Sequence, residues 1–279
     1  MPPEGLKVKS RYRGFARVSP EERLAMLLLG AHPLPPEGPA PAAGALGAVI
    51  FGLGGVLVDT AELHYQSWRR LADELGLPFT RHAYDSFRGV DRMECLQKLL
   101  GRHGRGFVRE EKILLAEKKN QHFLELIAKL RPTDLASGAR ALAMSLRAAH
   151  VPMGLVSASR NAARVLELLE ITEWFDVIVD GEALVKSPAE RFTLAADRLG
   201  LEPNRCVALE DGEAGVLAAH QAGMQTVGVG NHHAAVREVA NVAVSGLHEV
   251  TLERLQRMVR GATLPSHSPP ESGEIAPQV

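Results

Sequence analysis

A chain of 279 residues with 32 Lys+Arg against 33 Asp+Glu carries a formal net charge of −1, and 46% of it is hydrophobic. That balance gives no electrostatic reason for nucleic acid or an anionic membrane surface as partner, and an aromatic content of 5% argues against a base-stacking platform. Two cysteines, Cys95 and Cys206, exclude a disulfide framework and a four-cysteine metal site, and read as small buried apolar residues in a soluble, cytoplasmic, globular chain.

Residues 1–45 read as an N-terminal extension. Ser19 as N-cap, Pro20 at the first position and Gly30 at the end frame a short amphipathic helix. Leu24–Leu29 is too short for a signal-peptide core, and Glu21 and Glu22 stand just before it. The Pro/Ala-rich stretch His32–Ala45 reads as a semi-extended linker. Such an extension can dock a protein partner, although no residue in it identifies one. The most apolar run, Gly44–Val58, holds five glycines in fifteen residues and falls short of the ~20 that a bilayer helix needs. At the other end, 263–279 has the composition of a disordered tail.

Between these lie short apolar blocks without polar alternation: Ala48–Phe51, Met153–Val156, Val177–Val179, Cys206–Leu209 and Thr226–Val229. Blocks of this kind are strands covered on both faces. Helical patterns over Ala139–His150, Asn161–Leu169, Ala189–Leu199 and Glu213–Ala222 separate them. The alternation predicts an α/β fold, a doubly wound parallel sheet with a Rossmann-like core, formed by 46–60 and 133–262. Its ligand belongs at the carboxyl ends of the strands. One interval, 61–132, is helical throughout and predicts a small helical cap above those strand ends.

The residues with chemistry in them follow the strands. Phe51 to Trp68 reads FGLGGVLVDTAELHYQSW, Val156 to Asn161 reads VSASRN, Lys186 sits in VKSPAERF, and Ala208 to Gly215 reads ALEDGEAG. In this order and at this spacing they resemble the four motifs of the haloacid dehalogenase (HAD) superfamily. The cap sequences AELHYQSWRRLADELGLPF and FRGVDRMECLQKLL are similar to those of β-phosphoglucomutases. The resemblance covers about 46–245 and implies an HAD-like fold, a phosphorylated sugar as small-molecule ligand, and Mg²⁺. It further implies that Ser157, with Ala158 beside it, binds the phosphoryl group and that Lys186 neutralises it, while Glu210 and Asp211 hold the metal. His64 matches a cap-hinge histidine near the general acid. Trp68 is counted with it among the substrate-binding residues, though Trp68 and Trp174 by themselves read as core or cap packing. Arg92, Ser159, Arg160 and Asn161 match the group that grips the far phosphate, and Arg88 stands where the family often has a cap lysine.

The first motif departs from the family. Where D-x-D-G is required for an attacking carboxylate and an acid/base carboxylate, the chain has Gly52-Leu53-Gly54-Gly55. Glycine can neither attack phosphorus nor carry a proton, so aspartyl-phosphate chemistry is expected to be absent and Mg²⁺ binding weak or lost. Asp59, seven residues beyond Gly52, reads as a helix cap rather than a substitute nucleophile. Lys186-Ser187-Pro188 also replaces the usual Lys-Pro order, and Gly212 follows Glu210-Asp211 where Ser is common.

The expectation is therefore a sugar-phosphate binder without phosphoryl transfer. The alternatives are an active sugar phosphomutase or phosphatase that draws a carboxylate from elsewhere, and a dinucleotide-binding module. The last is suggested by Gly52-x-Gly54 after a strand, but Leu57 stands where the fingerprint needs glycine. His232-His233 reads as a solvated loop, and the basic run Lys112–Lys119 as a solvated helix face.

Overall fold

The computed structural model describes residues 45–87, 89–230 and 234–261. The N-terminal extension up to residue 44, the tail, Arg88 and His232-His233 lie outside the described residues.

Six strands form one fully parallel sheet: β1 (Ala48–Phe51), β2 (Met153–Val156), β3 (Val177–Val179), β4 (Cys206–Glu210), β5 (Gln225–Val229) and β6 (Val242–Val244), in the spatial order β3-β2-β1-β4-β5-β6. The five expected strands form where their apolar blocks lie. β6 is an addition: the short block Val242–Val244 is not among the expected strands.

Side chains on β1 alternate between two cores, as a strand's period of two requires. Val49 and Phe51 enter the larger cluster, while Ala48 and Ile50 enter the cluster on the opposite face. Each large side chain buried this way is worth about 1.5–3 kcal/mol, and both faces of β1 are covered. Strand order reverses beside β1, with β2 on one side and β4 on the other, which puts the topological switch point at their carboxyl ends.

Between β1 and β2 come the helices α1 (Ala61–Glu74), α2 (Arg81–Asp85), α3 (Arg92–Leu100) and α4 (Arg109–Ile127). They enclose a core of their own, built from Tyr65, Trp68, Leu71, Tyr84, Phe87, Leu96 and Leu100. On α1 the apolar positions Tyr65, Trp68 and Leu71 recur every three residues and form a single inward stripe. Asp91 starts α3, its Oδ1 accepting from the Met93 N–H at 2.8 Å. Helix α4 reaches from this cluster to the sheet, because Phe123 and Ile127 belong to the larger core.

After the cap, α5 (Ala139–Ala148), α6 (Ala162–Leu168), α7 (Pro188–Arg198), α8 (Glu213–Gln221), α9 (Ala234–Val239) and α10 (Leu252–Val259) flank the sheet. No helix among the described residues is long and apolar enough to cross a membrane.

Candidate functional site

The cavity lies where the cap helices meet the carboxyl ends of β1, β2 and β4, and its volume is about 180 Å³. Its floor is the turn after β1. Gly52 N–H extends the sheet by donating to the Leu209 carbonyl at 2.8 Å, and Gly55 N–H donates to the Val58 carbonyl at 2.8 Å. Leu53, Val56, Leu57 and Val58 are buried, which anchors the turn in the core. Gly55 has φ +76°, and a Cβ there would lie 2.0 Å from the Asp211 Oδ2, so only glycine fits.

Gly52 and Gly54 differ from Gly55, since neither has a positive φ. A Cβ at position 52 would lie 3.0 Å from the Glu210 Cδ and Oε1, and one at position 54 would lie 2.7 Å from the Thr60 Oγ1. The Glu210 carboxyl thus rests against the bare backbone of β1. Burial, with the Asp211 charge adding to it, pushes Glu210 up to about 8. Asp59 lies outside this cavity: it is exposed, one residue before the N-cap Thr60, and its Oδ1 accepts from the Ala61 N–H, the first of α1, at 3.0 Å.

A chain of short-range hydrogen bonds shapes the loop after β2. Ser157 Oγ accepts from the Ser159 N–H at 3.1 Å, and Ser159 Oγ accepts from the Asn161 N–H at 3.2 Å. The loop after β3 presses against it, and a Cβ on Gly181 would lie 2.3 Å from the Ala158 carbonyl oxygen. Ser157, Ala158, Ser159, Arg160 and Asn161 all line the cavity. Lys186 does not: it is exposed, and Arg191, which the sequence reading passed over, lines the cavity instead.

From the cap side come His64, Trp68 and Arg92, and with them two residues that the sequence reading missed, Lys119 and Asn120. The Lys119 Nζ lies 3.0 Å from the His64 Nδ1 and over the rings of Trp68 and Phe123, at 5.0 and 4.7 Å from their centroids. His64 stacks on Phe123 with centroids 3.9 Å apart. Burial, then the charges of Lys119 and Arg92, hold the His64 imidazole well below its ordinary range, so it is neutral. Burial and the Arg92 charge also bring Lys119 down to about 7. Lys119 is 3% exposed, which corrects its reading as part of a solvated face. Lys118, paired with Glu74 at 3.0 Å, does keep to that face. The spacing Ala116, Lys119, Phe123, Ile127 was the available signal, since it sets Lys119 on the buried stripe of α4.

Asn120 joins cap to sheet. Its Oδ1 accepts from the Asn161 Nδ2 at 2.8 Å and from the Arg92 Nη2 at 3.0 Å, while the Arg92 Nη1 meets the Glu117 carboxylate at 3.2 Å. Burial holds Arg92 below its ordinary value; the Glu117 carboxylate offsets part of this, and the Arg160 charge acts in the same direction as burial.

Glu210 and Asp211 are the carboxylates that could hold a metal at the strand ends. Among the described residues no group of three or more His, Cys, Asp or Glu is gathered for one. Position 52 offers no side-chain oxygen, and the Glu210 carboxyl lies 3.0 Å from where a Cβ would stand. Mg²⁺ needs ionised oxygen donors, and with Glu210 pushed up to about 8 its carboxyl is largely protonated at neutral pH, which makes this pair a poor donor set.

A parallel sheet in this order, with a helical cap inserted after its first strand, defines an HAD-type architecture. A family model described as haloacid dehalogenase-like hydrolase matches residues 46–223, and the chain belongs to that family. It is similar to the β-phosphoglucomutase of Bacillus subtilis (strain 168), 37% identical over 212 residues that cover 72% of this chain and 94% of that one. It is also similar to a phosphorylated carbohydrates phosphatase of Thermotoga maritima, 30% identical over 185 residues, covering 64% of this chain and 83% of that protein. Among solved structures, a β-phosphoglucomutase from Clostridium difficile matches with a TM-score of 0.73 at 34% identity, covering 77% of this chain and 98% of that one.

Proposed function

We propose that this chain binds a phosphorylated sugar between its cap and the strand ends, and does not pass the phosphoryl group through an aspartyl-phosphate. The observation that carries the reading is the pairing of bare glycine at positions 52 and 54 with a substrate-gripping set that is still gathered in one cavity. Arg92 and Arg160 both line the cavity, and an anion held by the two would offset the Arg160 charge that Arg92 feels beyond its pairing with Glu117. His64, kept neutral and tied to Lys119, can exchange hydrogen bonds with a sugar hydroxyl but has no carboxylate neighbour at position 54 to work with. Relatives named for phosphorylated sugars support the ligand class. The Glu210–Asp211 pair makes Mg²⁺ binding weak or lost.

Losing both members of a nucleophile and acid/base pair costs roughly 10³–10⁶ in rate for comparable catalytic units, which leaves no useful turnover. The test is calorimetry of the full chain with glucose 6-phosphate, with and without Mg²⁺, beside a phosphate-release assay. Binding that does not depend on Mg²⁺, with no release, is expected. Steady turnover, or a covalent phospho-adduct on any residue, would overturn the reading.

A further inference from the structure

We infer that Arg191, and not Lys186, is the cation that neutralises the phosphoryl group of the ligand in this chain. The inference rests on the sugar-phosphate reading above and deepens it. Its starting point is the order Lys186-Ser187-Pro188. Pro188 takes the first position of α7, so Ser187 becomes the N-cap, its Oγ accepting from the Glu190 N–H at 3.3 Å. The Glu190 carboxylate reaches back to accept from the Lys186 N–H at 2.6 Å. This reciprocal capping fixes the backbone at Lys186 on the outer side of the helix start, and its side chain is exposed. Held there, the lysine is exposed and does not line the cavity.

Arg191 stands about one turn further along α7, and it lines the same cavity as Ser157, Ala158 and Gly215. Its Nε is buried without a hydrogen-bond partner, and none of the ion pairs among the described residues includes it. A guanidinium stays charged at any physiological pH and presents its N–H groups as a planar fork. Leaving such a group partly desolvated and unpaired is costly, and a phosphate oxygen pair would satisfy it bidentately. The cavity therefore holds a half-buried guanidinium, its Nε without a partner, beside the hydroxyl that matches the family's phosphoryl binder. Arg191 supplies from inside the helix what Lys186 can no longer supply from its start.

The test uses the full chain and two probes, inorganic phosphate and glucose 6-phosphate, with affinity by calorimetry and the ligand-induced rise in Tm as readouts. Arg191→Gln is expected to weaken both probes about tenfold or more and to abolish the Tm rise, in line with the loss of one partner of a desolvated charge pair. Arg191→Lys should restore part of the affinity, and Lys186→Ala should stay within about twofold of wild type. Because Arg191 Nε has no partner to lose, the apo Tm of Arg191→Gln should not fall, which separates a binding role from a structural one. Unchanged affinity in Arg191→Gln, or a loss in Lys186→Ala, would overturn the inference. A wild type that binds phosphate through Arg191 but ignores the sugar phosphate upholds the inference and removes the sugar reading. A wild type that binds neither probe removes both.

Discussion

Restoring the missing carboxylates is the most searching perturbation, and the structure says what it will cost. Neither Gly52 nor Gly54 has a positive φ, so Gly52→Asp with Gly54→Asp meets no backbone strain. The crowding is against the end of the Glu210 side chain, 3.0 Å from the new Cβ at position 52, and against the hydroxyl of the buried, β-branched Thr60, 2.7 Å from that at position 54. Each must give way by a few tenths of an ångström. The larger cost is charge. Carboxylates about 4 Å apart repel by about 4 kcal/mol at an effective dielectric of 20, and protonation of Glu210 relieves part of that. A net destabilisation of about 2–4 kcal/mol is expected, a fall in Tm of roughly 5–15 °C for a chain of this size. A divalent cation would then find oxygen donors from both β1 and β4. At about 100 times its Kd it should recover about 2.7 kcal/mol. Thermal unfolding with and without Mg²⁺ measures this: a rise of several degrees in the double variant and none in wild type. Phosphate release or phosphosugar interconversion in the double variant should exceed wild type by about 10³ or more. A folded double variant with no Mg²⁺-dependent rise in Tm and no turnover would refute the reasoning, because the two glycines would then not be what silences the site.

Two further outcomes follow from the cap. Lys119 titrates near 7 when folded against 10.5 ordinarily, so between those values the unfolded chain binds more protons and stability rises with pH. Lys119→Met should therefore raise stability at pH 7 by roughly 1–3 kcal/mol once its lost contacts with His64 and Trp68 are set against the relieved burial of charge, and the advantage should shrink toward pH 10. Equal advantages at pH 7 and pH 10 in thermal unfolding would count against a buried charge. Asn161→Ala removes the 2.8 Å hydrogen bond to Asn120, worth about 1 kcal/mol, and should speed amide hydrogen exchange along α4 about fivefold. Unaltered exchange would mean that this bond does not hold cap to sheet.

The sheet was legible because parallel strands buried on both faces write themselves as unbroken aliphatic runs, and Val49-Ile50-Phe51 needs no partner in view to be read that way. The cap was legible from continuous helical periodicity across 61–132. Asp59 as an acceptor at the helix start could likewise be read locally, because its carboxylate needs only the N–H two residues ahead. Lys119 was misread because a basic run was judged by its composition, although its own helical register pointed inward.

Sequence by itself determined that position 52 and position 54 carry no oxygen, since a missing side chain is missing in any fold. It also determined where the strands end, and so where the ligand-facing loops begin. Only the tertiary structure decided which cations face the cavity. Lys186 and Arg191 are five residues apart in one segment, and local spacing treats both as polar residues at the start of a helix. The capping of α7 by Ser187 and Glu190 turns one outward, and the packing of that helix over the β2 and β4 loops leaves the other inside. The same holds for Asn120, whose partners Arg92 and Asn161 come from distant parts of the chain and meet only when the cap closes on the sheet. Helical register can show which residues of one element face inward, as for Lys119, but which residues of two distant elements meet is set by the packing between them.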